Sequence, residues 1–188
     1  MNDRNSAEAK LPATTRRQMI VGTALALGGV TLGTLKAAAD TQEEISHTAA
    51  SIHQEPVFKA SPKRVFEALT DAKEFQKVVD ASGAMKSGMI SASKPAELSS
   101  EAGAAFSLFG GYVTGRNVEL IPNQRIVQAW HAGSWKDGIY SIAKFELVAE
   151  GSGTRIIFDH TGFPESEAQH LAEGWKANYW EPMEKILA

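Results

Sequence analysis

Between residues 104 and 161, five strand-like runs are separated by the turn signals Gly110-Gly111, Pro122-Asn123, Asp137-Gly138 and Gly151-Ser152-Gly153. Connections this short join antiparallel neighbours, so the runs at 104–109, 112–121, 125–132, 139–149 and 154–161 predict an antiparallel meander. A long helix starting near Glu165 comes next, with Ala168, Leu171, Ala172, Trp175, Tyr179, Met183 and Ile186 on one face at 3.6-residue spacing. That stripe must lie against the sheet. Pro182 removes one intrahelical hydrogen bond and crowds the carbonyl of Asn178, which predicts a bend or break there.

Upstream, residues 51–59 read as a first strand, ended by Ser61-Pro62, where Ser caps a helix and Pro suits its first turn. Val65, Phe66 and Leu69 recur at helical spacing, and Thr70-Asp71 restarts the chain into a second helix whose Phe75, Val78 and Val79 share a face. Residues 82–103 are rich in Ser, Ala, Gly and Lys, with Met85, Met89, Ile90 and Leu98 as the larger apolar side chains. A segment this long and irregular reads either as a lid or entrance, or as a surface loop carrying a short strand. The fold class is therefore α+β: a curved antiparallel sheet gripping one long C-terminal helix, with two short helices after the first strand. A single helix cannot fill such a sheet, and the space left between them is a natural apolar cavity.

The front of the chain has a different grammar. Thr15-Arg16-Arg17-Gln18-Met19-Ile20 opens an uncharged stretch over residues 19–35, followed by Lys36 and Ala37-Ala38-Ala39. The stretch is 17 residues long and diluted by Gly22, Gly28, Gly29 and Gly33. A stable membrane span needs about 20 apolar residues. The order of paired arginine, weak apolar core, basic residue and small-residue cleavage site reads as a twin-arginine export signal cut after Ala39. The alternative is an uncleaved N-terminal anchor. Residues 1–39 are thus expected to be a signal peptide, 40–50 a polar tether and 51–188 the folded domain. The expected location is the periplasm, with the twin-arginine machinery as export partner. Removing residues 1–39 leaves 14 basic against 20 acidic side chains, a net charge of −6, which suits no nucleic-acid partner. The chain contains no cysteine, so thiol catalysis and Cys-ligated zinc are excluded.

The ordered residues of the domain carry a family resemblance. Ala60-Ser61-Pro62 with Val65-Phe66 and Ala68-Leu69-Thr70-Asp71, Gly115-Arg116, and Ile121-Pro122-Asn123-Gln124-Arg125-Ile126 running to Trp130 form its first half. Phe145-Glu146-Leu147, Gly153-Thr154, His160-Thr161-Gly162-Phe163-Pro164 and Gly174-Trp175 complete it. This set resembles the SRPBCC superfamily, with the helix-grip fold of the birch-pollen allergen and START domains, and within it the family of activators of the heat-shock-protein-90 ATPase. The resemblance implies one of three roles: a carrier of a small hydrophobic ligand, a cyclase- or hydrolase-like enzyme, or a co-chaperone-like module that docks a protein partner. The founding co-chaperones act on a cytosolic ATPase, whereas this chain is expected to be exported.

No nucleophile elbow is present, because Ala132-Gly133-Ser134-Trp135 lacks the glycine spacing and sits at a hairpin. His47, His53, His131, His160 and His170 show no paired metal spacing, and neither a metal nor a cofactor is expected. Strand alternation places Ile156, Phe158 and His160 on the helix-facing side and Asp159 on the other, so Asp159 and His160 form no dyad. His160 is then either a polar group at the pocket mouth, able to move a proton, or a structural residue hydrogen-bonded within the 160–164 turn. The expected ligand-binding set is Trp130, Phe145, Phe158, His160, Phe163, Trp175 and Tyr179, with Trp180 half exposed at the edge of the stripe. Arg116 is a candidate buried cation for an acidic ligand, or a surface residue.

Overall fold

The computed structural model of the chain describes residues 49–90 and 94–188. The expected signal, with Arg16, Arg17, Ala37 and Ala39, and residues 40–48 of the tether lie outside the described residues. Ala49 and Ala50, expected in the tether, instead open the first strand, β1 (Ala49–Gln54). The strand expected over 51–59 is divided into β1 and β2 (Val57–Phe58) by Glu55-Pro56. Pro56 has no N–H for the ladder, but its carbonyl still accepts from the Ile156 N–H at 2.9 Å.

Helix α1 (Pro62–Thr70) begins where Ser61 Oγ accepts the Arg64 N–H, with Pro62 in the first turn. Asp71 both ends α1 and starts α2 (Ala72–Ala81). Its N–H donates to the Glu67 carbonyl, while its carboxylate accepts from the Lys73 and Glu74 N–H groups at 2.9 and 3.0 Å. Val65, Phe66 and Leu69 of α1 and Phe75, Val78 and Val79 of α2 are buried together in the core. The segment from 82 onward is more structured than its composition suggests. It holds a short helix, α3 (Gly83–Lys86), and Glu97 forms a two-bond bridge with Ser107.

The meander consists of β3 (Ala105–Leu108), β4 (Val113–Ile121), β5 (Arg125–Ala132), β6 (Ser141–Glu150) and β7 (Gly153–Pro164). With β1 it forms an antiparallel sheet of order β1-β7-β6-β5-β4-β3, and β2 also pairs with β7. Gly115 sits where the strands crowd most. A Cβ there would collide with the Ala129 carbonyl and the Phe106 ring.

The C-terminal helix crosses the sheet in three segments: α4 (Ala168–Trp175), one π turn (Lys176–Trp180) and α5 (Glu181–Ile186). The expected break at Pro182 takes the form of this widened turn. Pro182 cannot donate to the Asn178 carbonyl, and the Glu181 N–H reaches back to the Lys176 carbonyl in an i→i+5 bond. The extra residue in the turn rotates the last segment of the helix, and Trp180, expected half exposed, is buried against Phe58 and Phe158. Among the described residues, no helix is long and apolar enough to cross a membrane.

The outer face of the sheet carries a chain of alternating charges. Glu119 pairs with Arg125, Arg125 with Glu146, Glu146 with Lys144, and Lys144 with Asp159. His53 joins Asp159 to Glu55, and Arg155 joins Glu55 to Glu150. Hydrogen bonds to Asp159 and then Glu55 raise the His53 pKa above its ordinary value, and the Asp159 carboxyl is lowered in return, chiefly by His53. Asp159 faces outward as strand alternation requires, while Ile156, Phe158 and His160 are fully buried beneath the helix.

Candidate functional site: an aromatic cavity between sheet and helix

A cavity of about 360 Å³ lies between α3, the end of the sheet and the C-terminal helix. This is within the range of about 300–1,000 Å³ common for small-molecule sites. Six aromatic side chains form its walls: Phe109, Tyr112, Trp130, Trp135, Trp175 and Tyr179. Trp130 is brought there by the alternation of β5, whose Ile126, Gln128, Trp130 and Ala132 are the buried members. Trp175 closes α4 and stacks on Trp130 at 4.7 Å between ring centroids, and Tyr179 comes one turn later at 4.3 Å from Trp175. Phe109 leads from β3 into Gly110-Gly111 with φ of 52°, a left-handed conformation that costs a bulky residue energy and is held here by its contacts with Phe75 and Tyr179. The rim includes the exposed Met89, His170 and Glu173, with Glu167 half-buried beside them.

Of the seven expected ligand-contacting residues, Trp130, Trp175 and Tyr179 line this cavity. Phe145, Phe158, Phe163 and His160 stand behind the wall as packed core. Phe145 and Phe158 contact each other at 4.9 Å and flank Trp175, and Phe163 rests on His160 at 5.0 Å. The alternation rule reports which side of a strand faces inward but not how far along the strand the cavity begins. Phe109, Tyr112 and the α3 residues Gly83 and Ala84 were missed as cavity lining. For Phe109 and Tyr112 the one sequence signal was Gly110-Gly111, which marks a chain reversal between the two aromatic residues, and nothing local signalled Gly83 and Ala84. Arg116 is exposed and donates to the Gly103 carbonyl, so it clamps a loop and faces no ligand.

His160 differs from both expectations. It neither lines the cavity nor bonds within its own turn, because its partners are Ser141 on β6 and Trp175 on α4. The Trp175 indole N–H can only donate, and it reaches His160 Nδ1 at 3.0 Å. Nδ1 is therefore unprotonated and Nε2 carries the hydrogen. Nε2 donates to Ser141 Oγ at 2.7 Å, and the serine hydroxyl in turn faces the Trp130 carbonyl at 3.5 Å. A base that activates serine needs the opposite polarity, with an unprotonated nitrogen facing the hydroxyl. Burial pushes the His160 pKa down to about 3, so the ring is neutral near pH 7. The geometry fits a fastener between helix and sheet. Burial also raises the Tyr179 phenol well above its ordinary range, keeping it protonated. Among the described residues, no group of three or more His, Cys, Asp or Glu is arranged to hold a metal ion.

A seven-stranded antiparallel sheet folded against a segmented C-terminal helix defines an α+β helix-grip domain. The chain belongs to the activator of Hsp90 ATPase homolog 1-like family, whose model matches residues 59–188. It is 37% identical over 79 residues to the activator of 90 kDa heat shock protein ATPase homolog of Dictyostelium discoideum, covering 42% of this chain and 21% of that protein. It is 26% identical over 93 residues to homolog 1 of Homo sapiens, covering 50% of this chain and 28% of that protein. The chain thus spans less than a third of the length of these relatives. Among solved structures, an HSP90 activator from Plasmodium falciparum matches with a TM-score of 0.61 at 23% identity, over 73% of this chain and 95% of that one. CalU16 from Micromonospora echinospora matches with a TM-score of 0.57 at 19% identity, over 74% and 77% of the two chains. Both likenesses lie in the fold.

Proposed function

We propose that this chain is an exported helix-grip domain that holds a small hydrophobic or aromatic molecule between its sheet and its C-terminal helix. The observation that carries the reading is the cavity of about 360 Å³ walled by six aromatic side chains. A cavity this size costs stability through lost packing, and a bound apolar molecule would recover that loss. The twin-arginine grammar around Arg16 and Arg17 supports export to the periplasm through the twin-arginine machinery. Acid/base catalysis by His160 has no support in its geometry, since the ring is neutral, walled off and donating to Ser141. The second reading, a module that docks a protein partner, draws support from relatives that are named for activating a heat-shock ATPase.

Native mass spectrometry of protein purified without denaturant from a homologous periplasm, compared with its denatured mass, tests the reading. An added mass that disappears on denaturation is the expected result. A bare chain whose tryptophan fluorescence ignores a panel of lipids and aromatics would overturn it in favour of partner docking.

A further inference from the structure

The cavity has a polar aspect that the protein's own residues leave unanswered. Among the described residues, four buried side-chain polar atoms lack a hydrogen-bond partner: Ser107 Oγ, Trp130 Nε1, Trp135 Nε1 and the Tyr179 hydroxyl. The last three belong to cavity-lining side chains. Native proteins pair nearly all such atoms, and each one left alone destabilises the fold. Three around one void is therefore a concentrated cost. The other two indoles are satisfied within the fold, Trp175 by His160 Nδ1 and Trp180 by Gln54 Oε1.

The chemistry of the three atoms selects their complement. An indole N–H donates and never accepts, and the Tyr179 phenol, kept protonated by burial, brings its O–H as the third donor. A matching ligand must present acceptors. The lining residues include Glu167 and Glu173 but no lysine or arginine, so an anionic acceptor would meet like charge at the rim without a fixed cation to offset it. The six aromatic rings favour a flat π system in offset-stacked or edge contact.

We propose that the cavity takes a neutral, planar aromatic or conjugated carbonyl compound of the quinone or aryl-ketone type, whose oxygens accept from Trp130, Trp135 and Tyr179. This rests on the ligand-binding reading and sharpens it, because a plain hydrocarbon would fill the same space and leave all three donors alone. The three donor atoms are shut off from solvent, so the proposal requires their rings to turn toward the void when the ligand enters. They have already been stripped of water, so a carbonyl that reaches them gains the bond without a further desolvation cost on the protein side.

The test titrates the full-length protein with menadione, methylnaphthalene and naphthoate by calorimetry while NMR follows the indole N–H resonances, assigned by single Trp→Phe variants. The three probes share a bicyclic frame and differ in acceptor and charge, and the absence of cysteine removes thiol addition to the quinone. Menadione is expected to bind about tenfold or more tighter than methylnaphthalene, with naphthoate weaker than menadione. The Trp130 and Trp135 N–H signals are expected to move further than those of Trp175 and Trp180. Tyr179→Phe lowers menadione affinity several-fold and leaves methylnaphthalene unchanged. Equal affinity for menadione and methylnaphthalene overturns the acceptor requirement while the ligand-binding reading stands. Naphthoate binding tightest overturns neutrality. No binding by any of the three removes the ligand-binding reading itself, and the proposal with it.

Discussion

Acidification should loosen this domain through one side chain, His160. In the folded state the ring is buried and neutral down to about pH 3, whereas in the unfolded chain it protonates near its ordinary value of 6.5. Between those values the unfolded state binds a proton that the folded state refuses. Stability is therefore fully present above about pH 6.5 and falls by about 1.4 kcal/mol per pH unit below it, levelling off near pH 3. The accumulated loss is about 2 kcal/mol at pH 5 and approaches about 5 kcal/mol near pH 3. At about pH 5 that corresponds to a melting temperature lower by roughly 6–8 °C than at pH 8 for a domain of this size. The exposed His53 works in the opposite sense, because its pKa is raised by Asp159 and Glu55 and its contribution fades as pH climbs. The assay is urea unfolding at about pH 8 and about pH 5 for wild type and His160→Gln, which removes the titration but keeps polar atoms near Ser141 and Trp175. The variant starts less stable at pH 8 and loses less on acidification. If both proteins lose the same stability between the two pH values, the assignment of the acid sensitivity to His160 is wrong.

Four further outcomes are expected from the same structure. Trp175→Phe leaves His160 Nδ1 without its donor and thins the stack on Trp130, costing about 2–4 kcal/mol in chemical denaturation. Gly115→Ala places a Cβ against the Ala129 carbonyl and the Phe106 ring, and the strand shift it forces costs about 3 kcal/mol or lowers soluble yield outright. Asp159→Asn, one residue from His160 but on the outer face, weakens only exposed pairs with His53 and Lys144, so its cost stays below about 1 kcal/mol and shrinks as salt is added. Replacing both Arg16 and Arg17 by Lys is expected to hold the chain in the cytoplasm, read by fractionation and immunoblot; undiminished periplasmic protein would sink the twin-arginine reading.

The elements legible in the sequence are those specified by neighbours along the chain. Ser61-Pro62 and Asp71 mark helix boundaries through their own side chains, and the meander is set by its turn residues. The alternation of β7 was enough to turn His160 inward and Asp159 outward. The hidden features depend on distant residues meeting. The partners of His160 are 19 residues upstream and 15 downstream, and no periodicity announces either. Pro182 announces a disturbance in the helix, but the resulting π turn, and with it the burial of Trp180, depends on how the helix then settles against the sheet. The left-handed Phe109 is tolerated because Phe75 and Tyr179 hold it, and no local preference would suggest it.

The pairing of β1 with β7 also sets a schedule. Residues 49–54 find their strand partner only at residues 158–164, more than a hundred positions later, and the helix that covers the sheet comes later still. A ribosome must therefore release nearly the whole chain before the sheet can gain its first strand, and contacts this remote in sequence form slowly. The export signal proposed for residues 1–39 would emerge long before such a cargo is ready. For a route that accepts only finished folds, the interval between the two is the step in which a cavity ligand could be enclosed and carried across with the protein.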